Sequence, residues 1–220
     1  MSLTDRAYTL IRREIISCAL PPGREFTEVD LAARLDMSKT PVREALARLQ
    51  FEGLVRAFPR RGYQIEPIRV SDMNDIFDAR IVVEAGAIAI AVSRVSEAQL
   101  NHLAVLASAS SDADYTTDLE HSHRVNNDFH EGIALASGNE RLHRMVAQTN
   151  KELERFFYLE ARADYAYPPG HVTHSQIVDV MREGIPARAQ AAISEHIENT
   201  RAVLIGSLMS DRMSKTLLLG

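Results

Sequence analysis

The alternation of apolar and polar positions changes character once along this chain, near Val70. Ahead of that point the patterns are short. Ile11, Ile15 and Cys18 recur at helical spacing, so Cys18 is expected to pack in a core. Val29, Leu31, Ala32 and Leu35 give a second short helix its apolar face, with Thr27 as N-cap and Asp30 three residues on as the capping-box acid. Asp36-Met37-Ser38 breaks the pattern, and Ser38 suits the N-cap of a third helix. Pro41 falls in its first turn, where a missing N–H is harmless. Val42, Ala45, Leu46 and Leu49 form its buried stripe, and Gly53 ends it as a left-handed residue. Leu54-Val55 and Tyr63-Gln64-Ile65 read as two strands around the turn Pro59-Arg60-Arg61-Gly62. The order is helix, turn, helix, wing.

Beyond Val70 strand signals stop and long helical patterns follow: 72–93, 97–109, 118–136, 140–162, 169–182 and 186–208. Residues 165–170, with Pro168 and Pro169, read as a loop, and Gly184-Ile185-Pro186 separates the last two helices. The expected architecture is mainly α: a winged helix-turn-helix over 1–68, an all-α bundle over 69–210, and a tail over 211–220 without a clear signal.

Charge follows the same division. Residues 1–68 hold 11 of the 25 basic and 9 of the 30 acidic side chains, which leaves 14 and 21 beyond; the head is +2 and the body −7. So small an excess does not coat DNA indiscriminately, and the head's basic groups must be concentrated in space to act. Lys39, Arg43 and Arg48 lie off the apolar stripe of the third helix, and a basic turn follows. That combination suits a major groove and its flanking phosphates. One cysteine rules out an internal disulfide framework. No apolar run is long enough for a bilayer and the N-terminus lacks a signal-peptide core, so the expected compartment is the cytoplasm.

The stretch SKTPVREALARLQFEGLV followed by RRG, with LPPGREFTEVDLAARL upstream, closely resembles the winged helix of GntR-type bacterial transcription regulators. The resemblance implies DNA contacts at Lys39, Thr40, Arg43 and Arg48 on the recognition helix and at Arg61 and Gly62 in the wing. Arg43 is the best placed to bridge O6 and N7 of a guanine. Lys39 and Val29 stand where family members often have arginine, and lysine is a point charge rather than a fork.

All eight histidines lie in the second part. Asn126 and His130 share a helical face, His174 opens the next-to-last helix, and His196 sits within the last. A bundle can aim such residues at one interior point, where imidazoles and an amide oxygen hold a divalent cation. The segment Asn126-Asn127-Asp128-Phe129-His130, the spacing of 22 between His174 and His196, and RIVVEAGAIAIA from Arg80 resemble the FadR-type subfamily with a C-terminal FCD ligand-binding domain. That resemblance implies a metal site at Asn126, His130, His174 and His196, with zinc, nickel or manganese as candidates. Asparagine replaces a frequent aspartate at 126 and brings no charge. His123, seven residues before His130, is the reserve ligand; Asp128 points away by about 200°. A metal-free polar pocket is the other reading. A small carboxylate or hydroxy acid suits open metal positions. Arg80 either clamps it or forms an i,i+4 pair with Glu84. The expected assembly is a homodimer on a pseudo-palindromic operator, more often a repressor than an activator, with a metal-dependent hydrolase or lyase as the rival.

Overall fold

The computed structural model describes residues 1–112, 119–160 and 170–209, and the chain divides into two compact units between Arg69 and Val70. Their internal structures are described separately.

In the first unit, α1 (Leu3–Ile16) is followed by β1 (Glu25–Phe26), α2 (Glu28–Leu35), α3 (Lys39–Phe51), β2 (Val55–Phe58) and β3 (Gly62–Ile65). Thr27 and Asp30 form the reciprocal capping box at the start of α2. Ser38 occupies the N-cap position of α3 but makes no side-chain cap bond. The α3 stripe Val42, Ala45, Leu46 and Leu49 is fully buried and packs with Ala7, Ile11 and Ile15 of α1. Gly53 follows α3 with φ +71°, the left-handed conformation expected of it. The three strands are antiparallel in the order β1-β3-β2, with Glu25 opposite Gln64 and Val55 opposite Ile65. Gly62 has φ +105°, and a Cβ there would lie 2.4 Å from the carbonyl oxygen of Phe26, so only glycine lets the wing close on β1.

Three details of the head differ from expectation. β1 was not expected, because two residues carry no periodicity. Cys18 is only half-buried and lies beyond the end of α1 with φ +55°. The helix stops at Ile16, so the spacing from Ile15 does not continue into the core. Val29 is exposed, since the buried face of α2 turns on Leu31 and Ala32.

The second unit holds α4 (Val70–Val92), α5 (Glu97–Asp112), α6 (Leu119–Ala136), α7 (Glu140–Glu160), α8 (His174–Arg182) and α9 (Pro186–Met209). α4 packs against α6, α7 and α9, and α5 packs against α6 and α8. α8 begins at His174 rather than Pro169, because Thr173 and Gln176 form a capping box there. The expected loop over 165–169 and the tail over 211–220 lie outside the described residues. No helix among the described residues is long and apolar enough to cross a membrane.

Candidate functional site

Two sites emerge, one in each unit. In the head, Lys39 and Thr40 occupy the exposed first turn of α3. Arg43, one turn on, is exposed and binds the carboxylate of Glu28 at the start of α2. Its Nε lies 3.0 Å from both Glu28 oxygens and its Nη2 2.8 Å from Oε2. The Tyr63 hydroxyl of β3 donates to the same carboxylate at 3.1 Å. The hydrogen bonds from Arg43 are the main reason that Glu28 titrates below its ordinary value, and Lys39 adds to the effect through its charge. Arg61 in the wing pairs with Glu25 of β1 at 3.3 Å. Lys39, Arg43, Arg61 and Gly62 thus surround the start of α2. Arg48 lies five residues beyond Arg43, about 140° round the helix. It binds Asp5 of α1 at 2.9 Å and lies over the Tyr8 ring.

In the bundle, His130 of α6, His174 of α8 and His196 of α9 converge, with one ring nitrogen from each within 4.8 Å of the others. Their order along the chain gave no hint of the shell that orients them. His130 Nδ1 donates to Glu84 Oε2 of α4 at 2.6 Å, and Arg80 Nε donates to the other oxygen of Glu84 at 2.5 Å. His196 Nδ1 donates to the carbonyl of Val172 at 2.7 Å. His174 Nδ1 meets the Ser110 hydroxyl of α5 at 2.9 Å.

These bonds set the tautomers. A carbonyl and a carboxylate accept, so the Nδ1 atoms of His196 and His130 carry hydrogen and their Nε2 atoms carry lone pairs. His130 Nε2 is buried and has no hydrogen-bond partner among the described residues. His174 Nε2 lies 3.1 Å from His196 Nε2. Two imidazole ligands at 2.0–2.1 Å from one tetrahedral ion stand about 3.3 Å apart. The donor set therefore fits a borderline divalent cation, and the Glu84–His130 bond is the carboxylate–histidine arrangement that orients metal ligands. His174 adapts: its Nδ1 can donate to Ser110, which frees Nε2 for an ion, or accept from it.

Electrostatics agree with a neutral cluster. Burial pushes His196 down to about 3, His174 well below its ordinary value, and His130 down despite the Glu84 charge. Burial alone would raise Glu84, but the charges and hydrogen bonds of Arg80 and His130 outweigh it and hold the carboxyl at about 2.

The predicted ligands are thus only partly gathered. Asn126 is half-buried one turn before His130, and its amide nitrogen turns to Asn127 Oδ1 at 3.4 Å. His123 does not join the three-histidine group and instead packs against the rings of Phe157 and Tyr158. Asp128 is exposed. Arg80 is fully buried as the i,i+4 partner of Glu84, and its Nη2 has no hydrogen-bond partner among the described residues. Sequence reasoning missed Glu84 as the orienting carboxylate of His130, although a lone acid within RIVVEAGAIAIA was a usable signal. Nothing marked Ser110 or Val172.

A winged helix with an arginine-bearing recognition helix, joined to a helical bundle with an interior polar site, defines a DNA-binding regulator with a ligand-binding part. Residues 3–65 match the bacterial regulatory proteins of the gntR family and residues 75–199 match the FCD domain. The chain belongs to the GntR family of transcription regulators with an FCD domain. It is 29% identical over 193 residues to an uncharacterized HTH-type transcriptional regulator in an unstable DNA locus of Streptomyces ambofaciens, covering 86% of this chain and 80% of that one. It is 21% identical over 198 residues to the HTH-type transcriptional repressor RspR of Escherichia coli (strain K12), covering 89% and 86%. The solved structure of E. coli McbR/YncC shares the fold, with a TM-score of 0.70 at 22% identity over 94% of this chain and 98% of that chain.

Proposed function

We propose that this regulator senses a small carboxylate or hydroxy acid through a divalent metal held by His130, His174 and His196. The observation that carries the reading is the convergence of three imidazoles whose Nδ1 atoms are engaged elsewhere, with the Nε2 atoms of His174 and His196 facing each other and His130 Nε2 buried without a partner among the described residues. Zinc, nickel and manganese all accept such nitrogen donors. Three neutral ligands leave the ion's charge unbalanced, which favours an anionic effector. The unpartnered Nη2 of Arg80 supports a carboxylate as that anion. Asn126, on the His130 face of α6, is a further oxygen donor in this reading.

Residues 1–68 form the DNA-binding part, with Lys39, Thr40, Arg43, Arg48, Arg61 and Gly62 as contacts. Residues 69–210 form the effector and dimerisation part, with 211–220 as a tail. Two subunits place two heads on a pseudo-palindromic operator in the cytoplasm. Repression relieved by effector is the preferred sign, supported by the repressor name of the E. coli relative. A hydrolase reading needs a free general base beside the metal, and Glu84, the carboxylate bonded to His130, is committed to Arg80 and His130.

Native mass spectrometry of the full chain tests metal, co-purified acid and dimer together. A retained divalent ion is expected, lost in His174→Ala. A metal-free protein that also fails to take up zinc on titration would sink the metal claim. In an electrophoretic shift assay, His174→Ala is expected to keep DNA binding and lose the effector response.

A further inference from the structure

The three arginines assigned to the DNA interface do not stand free. Arg43, Arg48 and Arg61 are each paired with a carboxylate on a neighbouring element, whereas Lys39 makes no ion pair among the described residues. One of these carboxylates is tied down from a second side. Glu28 accepts from Arg43 and from Tyr63, and the Tyr63 ring is itself stacked on Phe26 at 5.9 Å. The pair is set in a direction, not merely neutralised. Nε and one face of Nη2 are occupied by Glu28, which leaves Nη1 and the outer N–H of Nη2 as the free edge. That edge is itself a two-donor fork of the kind that reads O6 and N7 of guanine.

We propose that Glu28 is a specificity-determining residue of the DNA interface, a positioning residue that holds Arg43 by one edge so that the other is offered to a base. The inference rests on the reading that α3 is the recognition helix and Arg43 its base-reading residue. Two physical effects follow from one carboxylate. Orientation favours the bidentate guanine contact, because the guanidinium arrives already ordered. Charge disfavours everything else: random DNA is bound almost wholly through phosphates, and an arginine neutralised by Glu28 releases no counterion there. Fold stability does not explain the pair, since Arg43 has 65% side-chain exposure and exposed ion pairs contribute little.

The test uses the full chain and two duplexes, one enriched from a random library by the wild-type protein and one of scrambled sequence. Affinities are read by fluorescence anisotropy between 50 and 200 mM salt. Glu28→Gln keeps the acceptor for Tyr63 and removes the charge. It is expected to bind the scrambled duplex roughly threefold to tenfold more tightly, with a salt slope steeper by about one. The ratio of affinities for the two duplexes is expected to fall about tenfold. Tyr63→Phe should lower that ratio by a smaller factor. In an Arg43→Ala background, Glu28→Gln should change the ratio less than twofold, because the effect runs through Arg43. An unchanged ratio in Glu28→Gln, with Arg43→Ala still collapsing it, overturns the inference alone, as does an equal effect in both backgrounds. If Arg43→Ala leaves the ratio intact, the recognition-helix reading itself fails.

Discussion

Lowering the pH from 7.5 to 5.5 in the presence of a chelator probes the histidine core without a substitution. Four imidazoles are buried in the bundle, at His123, His130, His174 and His196, and burial lowers all four. Each is neutral in the fold, whereas the same side chain in the unfolded chain takes a proton near its ordinary 6.5. The sign follows from linkage. Above 6.5 neither state binds the proton and the full stability is present. Below 6.5 only the unfolded chain binds it, so stability falls with pH until the folded values are reached, about 4 for His123 and about 3 for His196. Between pH 7.5 and 5.5 a histidine held that low costs about 1.4 kcal/mol, so His123, His174 and His196 together cost about 4 kcal/mol, and His130 adds in the same direction. A domain has only about 5–15 kcal/mol in all, so the apo bundle is expected to be close to unfolding at pH 5.5. Glu84 adds nothing in this window, because its carboxyl is held at about 2 and its contribution is lost only below its ordinary 4.5. Urea denaturation followed by circular dichroism, with EDTA, reads the change. At an m-value of about 2 kcal/mol/M the midpoint should drop by about 2 M or more. His196→Gln should remove roughly a quarter of the pH dependence. A loss below about 1 kcal/mol over this range would refute the claim that the buried cluster is neutral.

Other outcomes are as specific. Glu84→Gln is expected to weaken zinc binding about 10- to 100-fold in a chelator competition, because the His130 ring loses its charged acceptor. The same change should lower apo stability by about 3–5 kcal/mol, since Arg80 is left buried without its counter-ion. Gly62→Ala places a Cβ against the Phe26 carbonyl at a left-handed φ and should cost about 1–3 kcal/mol in thermal unfolding of the head, with loss of DNA binding. Leu46→Ala empties the fully buried centre of the α3 stripe and should cost about 2–5 kcal/mol by denaturant titration.

Local chemistry was legible and distant pairing was not. Thr27 with Asp30, Gly53 after α3, and the stripe Val42-Ala45-Leu46-Leu49 are set by neighbours within a few residues, and each formed as its sequence implied. β1 escaped because two residues have no period; it exists through its register with Tyr63 and Gln64. Val29 pointed outward although it is apolar, since α2 is short and Leu31 and Ala32 fill its contact with α3. In the bundle, His130, His174 and His196 were picked out among eight histidines by the resemblance to the FCD-type subfamily. The partners that fix their tautomers were not, because Glu84 and His130 are 46 positions apart and Ser110 and His174 are 64 apart. The same holds for Arg43 and Glu28, 15 apart on different helices.

The two sites differ in how they can respond. In the head the Arg48–Asp5 and Arg61–Glu25 pairs are exposed and worth at most about 1 kcal/mol each, so a phosphate can replace either carboxylate at little cost. In the bundle the Arg80–Glu84–His130 chain is buried, and breaking it costs several kcal/mol. An effector that moves the protein from 99:1 to 1:99 between DNA-competent and incompetent states must bind one state more tightly by about 5.5 kcal/mol. No single exposed contact supplies that difference. In the proposed reading, a buried carboxylate meeting both a metal on the three imidazoles and the unpartnered Nη2 of Arg80 would make each interaction away from water, where it is strongest. On that proposed reading the energetic demand of regulation falls on the interior of the bundle, while in the head the Arg48–Asp5 and Arg61–Glu25 pairs need only be weak enough to exchange.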